Sequence, residues 1–249
     1  MPRVLRACLL LLAFACLPAL PGAAADQFTP AQRAEIVAIV RQALKQDPSI
    51  LRDAVGALQA EDSAHAAAES QAALVAHHDM LVTTADPVAG NPRGTVTIVE
   101  FFDTRCPYCR RMEPAMAKLL RQDHDVKLVY KDLPILGPAS MLGSKALLAA
   151  QQQGAYDKLR EAVMQMPADT TSPMIQAAAE KLGLDWPKLQ HDMDAPTVQR
   201  QIDANLKLAQ ALDIEGTPVL VIGKQIVPGA LDLAELQKAV AAARKTTEQ

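Results

Sequence analysis

The chain has 249 residues, 25 basic and 28 acidic, for a formal net charge of −3; half of it is hydrophobic and only 3% aromatic. It holds no basic run, which argues against nucleic acid or anionic lipid as a partner. Its length and aliphatic content suffice for a helix-rich globular core but say nothing about chemistry.

Arg3 and Arg6, an apolar stretch over residues 9–20, and Ala23, Ala24 and Ala25 before Asp26 form the three-part pattern of a cleaved export signal, residues 1–25. The apolar run is too short for a membrane anchor. Lipoprotein processing at Cys16 suits the bulky Phe14 upstream poorly. Cleavage removes Arg3 and Arg6 from the 25 basic residues, keeps all 28 acids, and leaves a charge of about −5 on a product expected to be soluble.

Thr29, with Pro30 next and Gln32 three residues on, reads as a helix start, followed by Ile36, Ile39, Val40, Ala43 and Leu44 at helical spacing. Asp47-Pro48 ends that helix and opens another carrying Ile50, Leu51, Ala54, Val55 and Leu58. Beyond Glu61 its apolar side chains shrink to alanine through about His77. Residues 26–80 are therefore predicted as a helical segment, separate from a domain at 86–249.

Residues 86–94 are dense in turn formers and read as a loop. A buried strand follows at 95–102, with Glu100 its one acid, then a helix at 110–122 and a strand at 126–130. From 138 to 212 the pattern is helical, broken near 166–169 and 183–185. Short strands at 218–222 and 225–227 meet at Gly223-Lys224, and a last helix covers 231–243.

Between the first strand and its helix lies Cys106-Pro107-Tyr108-Cys109. The other cysteines, Cys8 and Cys16, fall in the expected leader, so an exported product keeps this pair alone. Half a zinc site lacks its other ligands in the sequence. A structural disulfide would close a tiny loop and stabilise little. A redox pair suits the position. Cys106 would sit at a helix N-terminus, where free N–H groups and the dipole favour a thiolate that attacks and leaves well. Cys109, one turn in, would resolve the mixed disulfide. Pro107 fits an early helical position and Tyr108 offers a hydroxyl, and both are candidates for substrate contact; Arg105, Arg110 and Arg111 either assist the thiolate or are solvated charge.

Glu100, six residues before Cys106, is the candidate to accept the Cys109 proton; the alternative is a carboxylate pointing outward, and Lys131 is its expected partner. Pro218 opens a strand after Thr217, and X-Pro is where cis bonds occur. A cis bond there would leave the Thr217 backbone free to pair with an extended substrate.

Glu100-Phe101-Phe102-Asp103 with the cysteine motif, Tyr130-Lys131-Asp132-Leu133-Pro134, the helical insertion and Gly216-Thr217-Pro218 resemble the DsbA-like thiol oxidoreductases, from about Asp86 to Arg244. The resemblance implies an α/β thioredoxin fold with a helical insertion, Cys106 as nucleophile, Cys109 as resolving thiol and a cis Thr217-Pro218 bond. Residues 32–51 are similar to the N-terminal segment of the suppressor-of-copper-sensitivity protein C family, some of whose members trimerise through it and isomerise disulfides while others stay monomeric.

The expectation is thus a periplasmic thiol:disulfide oxidoreductase without a cofactor or metal, acting on misfolded or cysteine-containing exported proteins. Isomerisation or reduction is favoured over monomeric oxidation. A membrane thiol reductase would return the electrons, and residues 29–76 would form a homotrimer. On this reading a chain starting near Asn91 would be a monomer that keeps its thiol chemistry. From another class, two thiols with Met112 and Met116 on the next helix suit Cu(I); His77 and His78 diverge on a helix and make a poor metal clip.

Overall fold

The computed structural model describes residues 28–247, so the expected leader, with Cys8 and Cys16, lies outside the described residues. The chain divides after Glu61 into two compact units, Met1–Glu61 and Asp62–Gln249. Among the described residues no helix is long and apolar enough to cross a membrane.

The first unit holds α1 (Pro30–Gln46) and the opening of α2 (Ser49–Ala76). Thr29 and Gln32 make a reciprocal capping box: the Thr29 N–H donates to Gln32 Oε1 at 2.9 Å, and the Gln32 N–H to Thr29 Oγ1 at 3.3 Å. Asp47 closes α1 and accepts the Ser49 N–H at 3.0 Å, turning the chain into α2. Nothing in α1 is buried. Ile36, Val37, Ile39, Val40, Ile50, Leu51, Val55 and Leu58 all stand between 41% and 61% exposed.

The second unit is built on a five-stranded sheet of order β1-β3-β2-β4-β5. The strands are β1 (Val88–Gly90), β2 (Val96–Phe102), β3 (Val126–Asp132), β4 (Val219–Ile222) and β5 (Gln225–Pro228). β2 and β3 are parallel, and the other pairings antiparallel. Because side chains alternate along a strand, Ile98, Phe102, Leu128, Tyr130, Leu220 and Ile222 form one buried face. Val99, Phe101, Val129, Val219 and Val221 form the other.

The first face packs against α4 (Pro107–Gln122), α5 (Pro138–Gln151), α6 (Tyr156–Met164) and α10 (Leu233–Thr247). The helices α7 (Ser172–Lys181) and α8 (Trp186–Met193) extend that layer. The second face is closed by Leu208 on α9 (Pro196–Ala211), by Leu74 on α2 and by Leu81 on α3 (His78–Leu81). Phe101, Phe102 and Ile98 are fully buried, each contributing about 1.5–3 kcal/mol of transfer free energy.

Several expectations change. The stretch read as a loop contains β1, an edge strand with Val88 opposite Val129. Pro87 before it and the positive φ of Gly90 leave no local strand signature, and the pairing is long-range. α4 begins at Pro107, so Cys106 is its N-cap. The helical block is also broken between α5 and α6 and between α8 and α9, and α10 starts at Leu233. Lys131 does not reach Glu100. The register sets Glu100 opposite Tyr130 and Phe101 opposite Lys131, which puts the two charges on opposite faces of the sheet. Lys131 Nζ instead donates to Asp86 Oδ2 at 2.7 Å and to Met80 O at 2.9 Å.

Those contacts bear on the truncation near Asn91. A chain beginning near Asn91 would lose Leu74 and Leu81 from the core, the buried Asp86–Lys131 pair and all of β1.

Candidate active site

β2 delivers the chain to a turn organised by Asp103, a fully buried acid. Its Oδ1 accepts from the Arg105 N–H and from Ser140 Oγ, both at 2.7 Å; its Oδ2 accepts from Ile135 N at 2.9 Å and Leu136 N at 3.0 Å. Its backbone carbonyl accepts from Cys106 N at 3.0 Å. One carboxylate thus fixes the turn, the exit of β3 and the start of α5 together.

Cys106 then takes the N-cap of α4 in extended backbone geometry, with Pro107 as the first helical residue, where the absent N–H costs nothing. Its Sγ donates to Thr217 O at 3.1 Å, and the Thr217–Pro218 peptide bond is cis. Residues 111 positions apart in sequence therefore meet at one sulfur. Both cysteines are free thiols, and Cys109 is completely buried. Burial is the main force pushing the Cys109 thiol up from its ordinary value; Glu100 and Cys106 add to it, and a hydrogen bond from the Asp103 backbone opposes it.

Tyr108 is half exposed, with the Arg111 guanidinium 4.6 Å above its ring. Together with Thr217, Pro218, Ile214, Ile226 and Pro228 it lines an open groove of about 660 Å³ beside the cysteines. Pro107 does not line that groove. The other two arginines hold backbone: Arg105 donates to Ala168 O at 2.6 Å and to Leu136 O, and Arg110 to Thr104 O at 2.8 Å and to Met166 O.

Glu100 is fully buried on the α4 side of the sheet. Its partner is Arg160 of α6, whose Nη2 lies 3.4 Å from Glu100 Oε2. Arg160 is also bound by Glu113 of α4 at 2.5 and 2.7 Å, and stacks over Phe102 at 4.4 Å and Tyr130 at 4.1 Å. Burial raises Glu100 from 4.5 to about 7; Arg160 opposes the rise, while Glu113 and Asp132 add to it. Asp132 is likewise raised from 3.8 to about 7, chiefly by burial, against the hydrogen bond from Tyr156.

The sequence reading missed Asp103, Glu113, Asp132, Tyr156 and Arg160. Glu113 had a signal, because it falls one turn after Cys109 on the same helix. Arg160 had none, since nothing local marks a cation in the helical block. Met112 and Met116 are buried in the aliphatic core, which is helix packing. Among the described residues no group of three or more His, Cys, Asp or Glu side chains is arranged to hold a metal.

Residues 97–241 match the model of the DSBA-like thioredoxin domain, and residues 32–64 that of the copper resistance protein ScsC N-terminal domain. Among solved structures, a thioredoxin-like oxidoreductase from Silicibacter pomeroyi is 44% identical, over 66% of this chain and 94% of that one, with a TM-score of 0.64. Proteus mirabilis ScsC in a transitional conformation is 30% identical, over 88% of this chain and all of that one, with a TM-score of 0.65. A curated Na(+)/H(+) antiporter NhaA 3 of Salinispora tropica is 27% identical over 160 residues, 64% of this chain. This chain covers 24% of that antiporter's length.

Proposed function

The chain belongs to the family of DsbA-like thioredoxin domains, and on that premise we propose that it is a periplasmic thiol:disulfide oxidoreductase, working on exported proteins as an isomerase or reductase. The observation that carries the proposal is Cys106 at the N-cap of α4, 3.1 Å from the Thr217 carbonyl and beside an open groove. Cys106, at the start of the helix, is the attacking sulfur. An extended substrate segment lies along Thr217 and places its disulfide at Cys106.

The thiolate attacks one substrate sulfur, forms a mixed disulfide and releases the other sulfur as a thiolate. In isomerisation a different substrate thiolate attacks the mixed disulfide and restores Cys106. In reduction Cys109 gives its proton to Glu100, attacks Cys106 Sγ and expels the remaining substrate thiolate. Cys106–Cys109 is then a disulfide, and a membrane thiol reductase returns two electrons to it. Glu100, raised to about 7, is matched to take and return a proton near neutrality.

The first unit supports the isomerase direction. Its exposed Ile36, Ile39, Val40, Ile50, Leu51, Val55 and Leu58 form more apolar surface than an isolated helix pair keeps in water. Residues 32–64 match the ScsC N-terminal domain. A homotrimer through this segment would hold several Cys106 thiolates around one substrate.

The test is reactivation of a disulfide-scrambled enzyme by the mature chain, beside Leu51→Glu/Val55→Glu. Rescue by the parent and at least tenfold slower rescue by the double variant is expected, with equal rates on a small disulfide. Net oxidation of a reduced substrate by both, without rescue by either, would instead identify a monomeric oxidase.

A further inference from the structure

Two carboxylates, Glu100 and Glu113, share the Arg160 guanidinium, and a third, Asp132, lies in its field. Glu113 binds Arg160 at both terminal nitrogens, leaving Glu100 Oε2 at the longer distance of 3.4 Å. Asp132 receives the Tyr156 hydroxyl on Oδ2 at 2.7 Å. Glu100 Oε1 and Asp132 Oδ1 are both buried without a close hydrogen-bond partner, although the Ser144 hydroxyl lies near enough to Asp132 to favour its charge. Glu100 stands opposite Tyr130 and Asp132 opposite Phe102, and those are the two rings on which Arg160 stacks. The cation therefore sits across the diagonal between the two acids.

We infer that Asp132 is a positioning residue for proton transfer at Cys109: it shares with Glu100 one proton in the field of Arg160, and its charge decides when Glu100 is free to accept. With Glu113 already neutralising the guanidinium, two further ionised carboxylates in the same buried space repel each other, so one of them keeps a proton. When the proton rests on Asp132, Glu100 is a carboxylate. The Cys109 proton then passes to Glu100, giving a carboxylic acid and a thiolate that attacks Cys106 Sγ.

The titratable groups that act on or feel Glu100 are Tyr130 and Asp132 from β3, Cys109 and Glu113 from α4, and Arg160 from α6; Tyr156 and Asp157 of α6 act on Asp132 and Arg160 instead. Of these only Asp132 and Glu113 add to the rise of Glu100, and Glu113 is spent on Arg160. The inference rests on the reading of Glu100 as the acceptor.

The test uses the full mature chain, reduced, with carbon-13 in its Asp and Glu carboxyls, titrated from about pH 4 to about pH 10. Glu100→Gln assigns the Glu100 signal. In the parent, Glu100 is expected to titrate in two steps mirrored by Asp132. In Asp132→Asn, which keeps an acceptor for Tyr156, a single step should remain with its midpoint lower by about one pH unit. The acid limb of mixed-disulfide resolution should move down by the same amount.

A one-step Glu100 curve in the parent, or an Asp132→Asn curve at the parental midpoint, overturns the inference. So does a shifted Glu100 with an unmoved resolution profile. If Asp132→Asn does not fold, the parental titration decides by itself. If the chain exchanges no thiols at all, the functional reading fails while the carboxyl titration still reports the coupling, so the two failures are distinct.

Discussion

Cys106 and Cys109 are both shielded from solvent, yet their surroundings treat them differently. Cys106 faces the open end of α4 and the Thr217 carbonyl. Cys109 lies over buried Glu100, and its thiol is held in the protonated form. Cys109→Ser should therefore accumulate a covalent substrate adduct through Cys106, seen as a reducible mass shift, whereas Cys106→Ser should form none. Arg160 anchors the charges below. Arg160→Met leaves Glu113 and Glu100 without their cation, and a loss of about 3–5 kcal/mol is expected in urea unfolding at neutral pH. Glu100 also carries a pH signature. Its native value lies above its unfolded one, so the native state binds the extra proton. Its contribution is complete below pH 4.5 and is lost as pH rises through about 7. Unfolding free energy should fall over that interval in the parent and fall less in Glu100→Gln.

The decisive contact between elements is that of α5 with the catalytic turn. Ser140 at its start binds Asp103, and Gly143 one turn later lets the helix backbone approach Thr104. A Cβ on Gly143 would stand 2.5 Å from Thr104 Oγ1 and 3.2 Å from its Cβ. Gly143→Ala therefore forces apart the turn and the helical block. A loss of about 1–3 kcal/mol is expected in urea unfolding, together with slower exchange at Cys106. Unchanged stability and rate would mean that the turn yields freely. Arg105 and Arg110 tie the same turn to the carbonyls of Ala168 and Met166. The helical block thereby supplies both the brace of the catalytic turn and, through Arg160, the charge beneath it.

At the scale of the whole molecule, the first unit keeps its aliphatic side chains exposed. Eight large aliphatic side chains stand on two short amphipathic stretches, and none of α1 is buried. Self-association buries them most economically, because each copy brings the same stripe. Light scattering on the mature chain should give about three times the monomer mass, and Leu51→Glu/Val55→Glu about one. A parent of single mass would remove the basis for cooperation between several thiolates. A truncation meant to separate the units should start near Asp62, where the second unit begins, and not near Asn91.

Local features were legible wherever neighbours in sequence do the work. The capping box at Thr29 and Gln32, the β-branched run of β2, and the strand-to-helix position of Cys106 and Cys109 all follow from short-range rules. Thr217-Pro218 by itself reads as an ordinary turn, and only the family resemblance joined it to the cysteines. Tertiary structure alone decided the rest. Glu100 could have pointed either way until the parallel register with β3 fixed its face, and that register excludes Lys131. Arg160 reaches Glu100, 60 positions earlier in the chain, because α6 docks on the sheet, a long-range event with no mark in the local pattern. β1 exists because β3 offers it an edge. Sequence periodicity reports which side chains want burial; what they are buried against, and so where a proton can rest, is set by the packing of distant elements.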